Sequence, residues 1–128
     1  MKLLLDTHAF LWWIRDDDSL GTKARKAIAN ERNECFLSIA SCWEMAIKKS
    51  LGNLEIPEPV DRFVAEQVAV NRFSILPIDL RHVSHVSRLS FHHRDPFDRL
   101  LAAQATEEGM AIVSADPIFQ KYGIERIW

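Results

Sequence analysis

Apolar residues along this chain fall into two kinds of segment that alternate: short, nearly unbroken runs, and longer stretches in which they recur at helical spacing. Lys2–Leu5 is a run of the first kind ending at Asp6, and Thr7–Ile14 places Phe10, Leu11, Trp13 and Ile14 on a helical face. The pattern predicts a strand and then a helix. Asp16, Asp17, Asp18 and Ser19 form a loop of solvated carboxylates before a helix over residues 20–29, which Ser19 or Thr22 can cap. Residues 35–37 read as a second strand, and residues 38–51 as a helix stopped by Gly52. Beyond a loop marked by Pro57 and Pro59, helical spacing returns at Val60, Phe63, Val64 and Val68. A strand at 73–76 and a helix at 80–89 follow. The Asp95-Pro96 pair then opens a helix that runs to Gly109, Ala111–Val113 is a strand, and residues 124–127 read as a closing strand.

Short apolar strands alternating with helices point to an α/β fold: a central parallel sheet covered by helices on both faces. Neither a repeat nor a linker divides the chain, so residues 1–128 are expected to form a single domain. The composition, 48% hydrophobic and 27% charged, is that of an ordinary globular protein. Asp6 interrupts the opening apolar run too early for an export signal, and charges break every apolar stretch that could span a membrane. The cytoplasm is therefore the expected location. Cys35 and Cys42 lack the spacing of a zinc site and read as small buried hydrophobes. A net charge of −2 gives no global attraction for nucleic acid, so any such binding must be local.

The acids change this picture. In open parallel sheets ligands bind beyond the carboxyl ends of the strands. Asp6 directly follows the first strand, Asp116 lies just past the strand ending at Val113, Glu44 is early in the helix after the second strand, and Asp98 is in the first turn of another helix. Gathered at one sheet edge, these carboxylates would repel one another unless a cation joined them. Oxygen donors favour Mg²⁺ or Mn²⁺, which suits phosphodiester hydrolysis. Each acid also has a structural reading. Ser41 and Glu44 fit a capping box, Asp95-Pro96 fits an N-cap with proline at the first helical position, and Asp6 and Asp116-Pro117 could each cap a helix.

Four segments carry a resemblance: Leu4-Leu5-Asp6-Thr7-His8, the stretch from Ser38 to Lys48, the stretch from His93 to Ala105, and Ile112-Val113-Ser114-Ala115-Asp116. Together they resemble PIN-domain proteins of the VapC-like toxin branch, over nearly the whole chain. The resemblance implies a three-layer α/β/α fold and a Mg²⁺- or Mn²⁺-dependent endoribonuclease of single-stranded or structured RNA, acting as the toxin of a toxin–antitoxin pair. Its partners would be an RNA substrate, a cognate antitoxin and a second copy in a homodimer. The family's four acids fall on Asp6, Glu44, Asp98 and Asp116. Ser114 stands where a small hydroxyl residue precedes the fourth acid, and Asp95 is expected to cap or support rather than ligate.

Arg94 and Arg99, flanking the acidic turn, join Ser114 as candidate substrate contacts. Lys48 and Lys49 could also meet RNA but read rather as a solvated helix face; His92 and His93 could contact RNA or shuttle protons but read rather as surface histidines; His8 belongs to the first of the four segments, with a packing or hydrogen-bonding role equally open. Of the pair Trp12-Trp13, one ring is expected in the core and the other at an antitoxin or dimer contact. Two other readings compete. A catalytically silent PIN-like scaffold would bind RNA or protein without cutting, but intact acids disfavour it. A receiver-type signalling domain would need paired acids after the first strand and a lysine near the last, both missing here.

Overall fold

The computed structural model describes all 128 residues. Its elements are β1 (Lys2–Leu5), α1 (Thr7–Ile14), α2 (Thr22–Ala29), β2 (Glu34–Ser38), α3 (Ile39–Ser50), α4 (Val60–Asn71), β3 (Ser74–Leu76), α5 (Leu80–Val86), α6 (Pro96–Glu108), β4 (Ala111–Val113), a 3₁₀ helix (Pro117–Tyr122) and β5 (Arg126–Ile127). All strand pairs are parallel, in the order β3-β2-β1-β4-β5. The α/β class and the central parallel sheet expected from the pattern are both present. No helix is long and apolar enough to cross a membrane.

Alternation along the central strand divides the core into two layers. Leu3 and Leu5 pack on one face with Phe10 and Leu11 of α1, Ala24 and Ile28 of α2, and Val64 of α4. Leu4 points the other way and packs with Leu101, Ala102 and Ala105 of α6 and with Phe119 of the 3₁₀ helix. All three leucines are fully buried, which explains why β1 reads as a continuous apolar run rather than an alternating one. Burying each such side chain contributes about 1.5–3 kcal/mol. Helix α5 is held outside this core, against α6.

Several predicted boundaries move for physical reasons. The helix expected from residue 20 starts at Thr22, because Leu20 is buried and the chain turns at Gly21, which is the N-cap without a side-chain bond. Neither Ser19 nor Thr22 caps it. Helix α3 is capped by Ser38, whose hydroxyl accepts the Ala40 N–H at 3.0 Å; the Ser41 and Glu44 capping box does not form. The helix predicted over 80–89 ends at Val86, and its N-terminus carries an unforeseen capping box between Asp79 and His82. Asp95 and Pro96 open α6, and Gly109 closes it in the left-handed conformation at φ 64°.

Candidate active site

The sheet order places β1 at the centre, with β2 and β3 on one side and β4 and β5 on the other. The chain reverses direction of winding between β1 and β4, and clefts open at the carboxyl ends of strands at such a point. Asp6 and Asp116 follow these two strands. Asp6 caps α1, its Oδ1 accepting the Ala9 N–H at 2.8 Å; Asp116 caps the 3₁₀ helix, its Oδ1 accepting the Ile118 N–H at 3.0 Å. Both acids are therefore caps, as their structural readings expected, and both also line the cleft.

Glu44 reaches the same cleft from the second turn of α3. The residue is buried, and both carboxylate oxygens are satisfied: Thr7 Oγ1 donates to Oε1 at 2.6 Å, and Lys48 Nζ lies 2.8 Å from Oε2, one helical turn on. Asp98 enters from the first turn of α6, where Asp95, not Asp98, is the cap: Asp95 Oδ1 accepts the N–H groups of Phe97 at 2.8 Å and Asp98 at 3.1 Å. Asp6, Glu44, Asp95, Asp98 and Asp116 thus line one cavity of about 370 Å³, together with Thr7, His8, Trp12, Lys48, His93 and Ala115.

His93 binds two of these acids together. Its Nε2 lies 2.9 Å from Asp116 Oδ2 and 3.1 Å from Asp98 Oδ2, while its Nδ1 accepts the Asp95 N–H at 3.1 Å. Since Nδ1 accepts, the ring proton is on Nε2 and faces the carboxylate pair. Burial pushes the Asp98 carboxyl up to about 7, with the Asp95 charge raising it further, His93 opposing, and Asp6 and Glu44 adding to the rise. Asp6 is raised as well, chiefly by burial, against the lowering effect of hydrogen bonds from Ser114 and Ala9. Carboxylates held at such a cost, with oxygen donors converging on one cavity, fit a divalent cation. The side chains of His93, Asp98 and Asp116 also offer ligand atoms within 4.8 Å of one another.

The four acids predicted from sequence therefore meet, and Asp95 is the expected cap beside them. The proposed substrate contacts fare differently. Arg99 is buried, and its guanidinium donates to the carbonyls of Ser90, His93, Val86 and Leu89 at 3.0–3.4 Å, so it ties down the loop before α6 instead of facing a substrate. Ser114 is fully buried; its hydroxyl accepts the Asp116 N–H at 3.0 Å and supports Asp6. Arg94 is exposed and does not line the cavity.

Other residues enter where a bland role was expected. Lys48 pairs with Glu44, a contact that their four-residue spacing could have suggested. His93, read as a surface histidine, is at the centre of the site, and nothing local distinguishes it from the exposed His92. Trp12 lines the cavity, while Trp13 packs against the core and donates from Nε1 to Asn71 Oδ1 at 2.9 Å. Neither is the exposed tryptophan; that is Trp43, at 58%. The three acids at residues 16–18 stay in their loop, Asp16 paired with Arg25 at 2.7 Å.

Comparison with known proteins agrees with this architecture. Ribonuclease VapC16 of Mycobacterium tuberculosis (strain ATCC 25618 / H37Rv) is 36% identical over 63 residues, which cover 49% of this chain and 45% of that protein. The aligned segment thus spans less than half the length of this relative. VapBC2 from Rickettsia felis, solved bound to a DNA fragment from their promoter, superposes with a TM-score of 0.69 at 14% identity, covering 100% of both chains. VapBC-1 from nontypeable Haemophilus influenzae gives a TM-score of 0.67 at 11% identity over 98% of this chain and 96% of that one. FitAcB from Neisseria gonorrhoeae gives 0.66 at 14% identity over 97% and 95%. At these identities the structural likeness establishes the shared fold. The family model for the PIN domain matches residues 3–125, and the chain belongs to the PIN domain family.

Proposed function

We propose that this protein is a divalent-metal-dependent endoribonuclease and the toxin of a toxin–antitoxin pair, acting in the cytoplasm. The observation that carries the reading is the convergence of Asp6, Glu44, Asp98 and Asp116, from four separated segments, on one cavity at the sheet's switch point. In this proposal the four acids hold Mg²⁺ or Mn²⁺. The ion would supply charge neutralisation on the phosphodiester and a more acidic water. Thr7 and Lys48 fix the rotamer of Glu44, and Asp95 fixes the start of α6 and with it Asp98. His93, donating from Nε2, spans Asp98 and Asp116 and keeps the two carboxylates at a common focus. Lys48 also contributes a positive charge at the cavity for an RNA phosphate. Arg94 remains a candidate phosphate contact outside the cavity.

The partners belong to the same proposal: an RNA substrate, a cognate antitoxin and a second copy of the chain. Their support is the likeness to VapC-type proteins and an exposed apolar surface formed by Ile39, Trp43 and Ile75 beside Val60 and Val64. This face takes the role that the pair Trp12-Trp13 was expected to fill.

RNA cleavage by purified protein, free of antitoxin, in Mg²⁺, Mn²⁺ or EDTA tests the activity. Wild-type protein is expected to make discrete, metal-dependent cuts. Asp98→Asn and Glu44→Gln, which keep shape but remove a charge, should abolish them, whereas Asp17→Asn in the solvated loop should cut normally. A folded wild-type protein that binds metal and leaves all RNA intact would replace this reading with that of a silent scaffold.

A further inference from the structure

The wall of the cavity next to Asp6 is aromatic. His8 and Trp12 are one helical turn apart on α1, and their rings stack with centroids 5.3 Å apart at an interplanar angle of 23°. Trp12 in turn rests on Trp128, 5.7 Å away at 57°. The base of this stack is tight: a Cβ on Gly21 would lie 2.8 Å from the Trp128 backbone and 2.9 Å from its ring. Trp12 is half-buried and packs against the core, and His8 lies against its outer side. His8 is exposed, and its ring makes no hydrogen bond to protein. Packing accounts for Trp12 and Trp128, but leaves unexplained an imidazole held flat at the mouth of the acidic cavity.

Flat rings beside a phosphate-processing site are what unpaired nucleobases use. Single strands stack their bases on aromatic and histidine side chains, whereas paired bases in a duplex have no free face to offer. The geometry points to His8, backed by Trp12, as a stacking platform that positions an unpaired base next to the phosphate at the acidic centre. This rests on the nuclease reading for the identity of the ligand. The platform needs no particular base, because every base has a face, so it selects for strandedness more than for sequence. His8 acts as a positioning residue: it orients the strand so that its backbone crosses the carboxylates.

The test uses a short mixed-sequence RNA labelled with fluorescein, alone or annealed to its complement, and anisotropy in Mn²⁺ on an Asp98→Asn background that does not turn it over. His8 is exposed, so its replacement leaves the core intact. Adding His8→Ala is expected to weaken binding of the single strand roughly 5- to 100-fold, the range set by loss of one base–aromatic stack, and to leave duplex binding unchanged. His8→Phe, which keeps a flat ring but has no ring nitrogen, should restore most of the loss. Equal binding by His8→Ala and its parent would overturn the platform. So would an equal loss for single strand and duplex, or a His8→Phe protein as weak as His8→Ala, which would show that the nitrogen, not the face, is used. RNA cleavage by the wild-type protein, measured separately, decides the nuclease reading on its own.

Discussion

Asp98 concentrates the physics of the site in one side chain. In the unfolded chain its carboxyl titrates near 3.8; in the folded protein burial and neighbouring acids raise this to about 7. A raised folded value means that the native state holds the proton more tightly than the unfolded state. The stability this contributes is fully present below about pH 4 and is lost as the pH rises through about 7. Asp6 is shifted in the same direction. Metal-free protein in EDTA is therefore expected to melt at a lower temperature at pH 8 than at pH 5.5, and Asp98→Asn should reduce that difference. Mn²⁺ competes with the proton, so its stabilisation should grow over the same interval. A wild-type melting temperature that rises from pH 5.5 to pH 8 in EDTA would show that Asp98 is not destabilised by its surroundings. Asp6 and Asp116 are helix caps, and under the proposed function the same carboxylates would also serve as ligands.

At the scale of elements, α3 shows both what was legible and what was not. Strand β1, helix α1 and strand β4 were read to the residue, because uninterrupted apolar runs and a clean helical stripe leave few alternatives. The start of α3 was harder, since Ser38 and Ser41 are both acceptable caps and their spacing matches one helical turn. Tertiary context decides. Ser38 ends β2, and its hydroxyl, besides capping, donates to Gln104 Oε1 on α6. Gln104 is fully buried and its amide donates to the Pro77 carbonyl at 3.2 Å; with His82 and Glu108 it forms a polar chain between α5 and α6. No local pattern distinguishes such a glutamine from one at the surface. Ser41, by contrast, buries its hydroxyl without a partner. Ser38→Ala should thus cost about 1–3 kcal/mol, by loss of a cap and an orphaned Gln104 oxygen, whereas Ser41→Ala should be neutral or stabilising. Urea denaturation of the two variants checks this, and an equal loss would place the cap at Ser41 after all.

For the whole molecule, the candidate site was legible because its acids sit at positions fixed by topology: just after β1, just after β4, and within the first two turns of α3 and α6. A parallel sheet with a switch point brings such positions together whatever the rest of the chain does. Of the residues that hold those acids in place, Thr7 and His93 reach them from distant segments and left little trace in the pattern, whereas Lys48 stands one turn from Glu44 on the same helix. Arg99 was misplaced for the converse reason. An arginine beside an acidic turn looks like a phosphate contact, yet four carbonyls, one at the end of α5 and three in the loop after it, occupy it. In the proposed function Asp6 and Asp98, far apart in sequence, serve one cation. Titration of Mn²⁺, with the free ion followed by electron paramagnetic resonance, tests it directly on wild-type protein, Asp6→Asn and Asp98→Asn, since asparagine retains the capping ability of aspartate at position 6. Each substitution is expected to weaken Mn²⁺ binding by roughly tenfold or more while the fold persists. Wild-type affinity in both variants would contradict it.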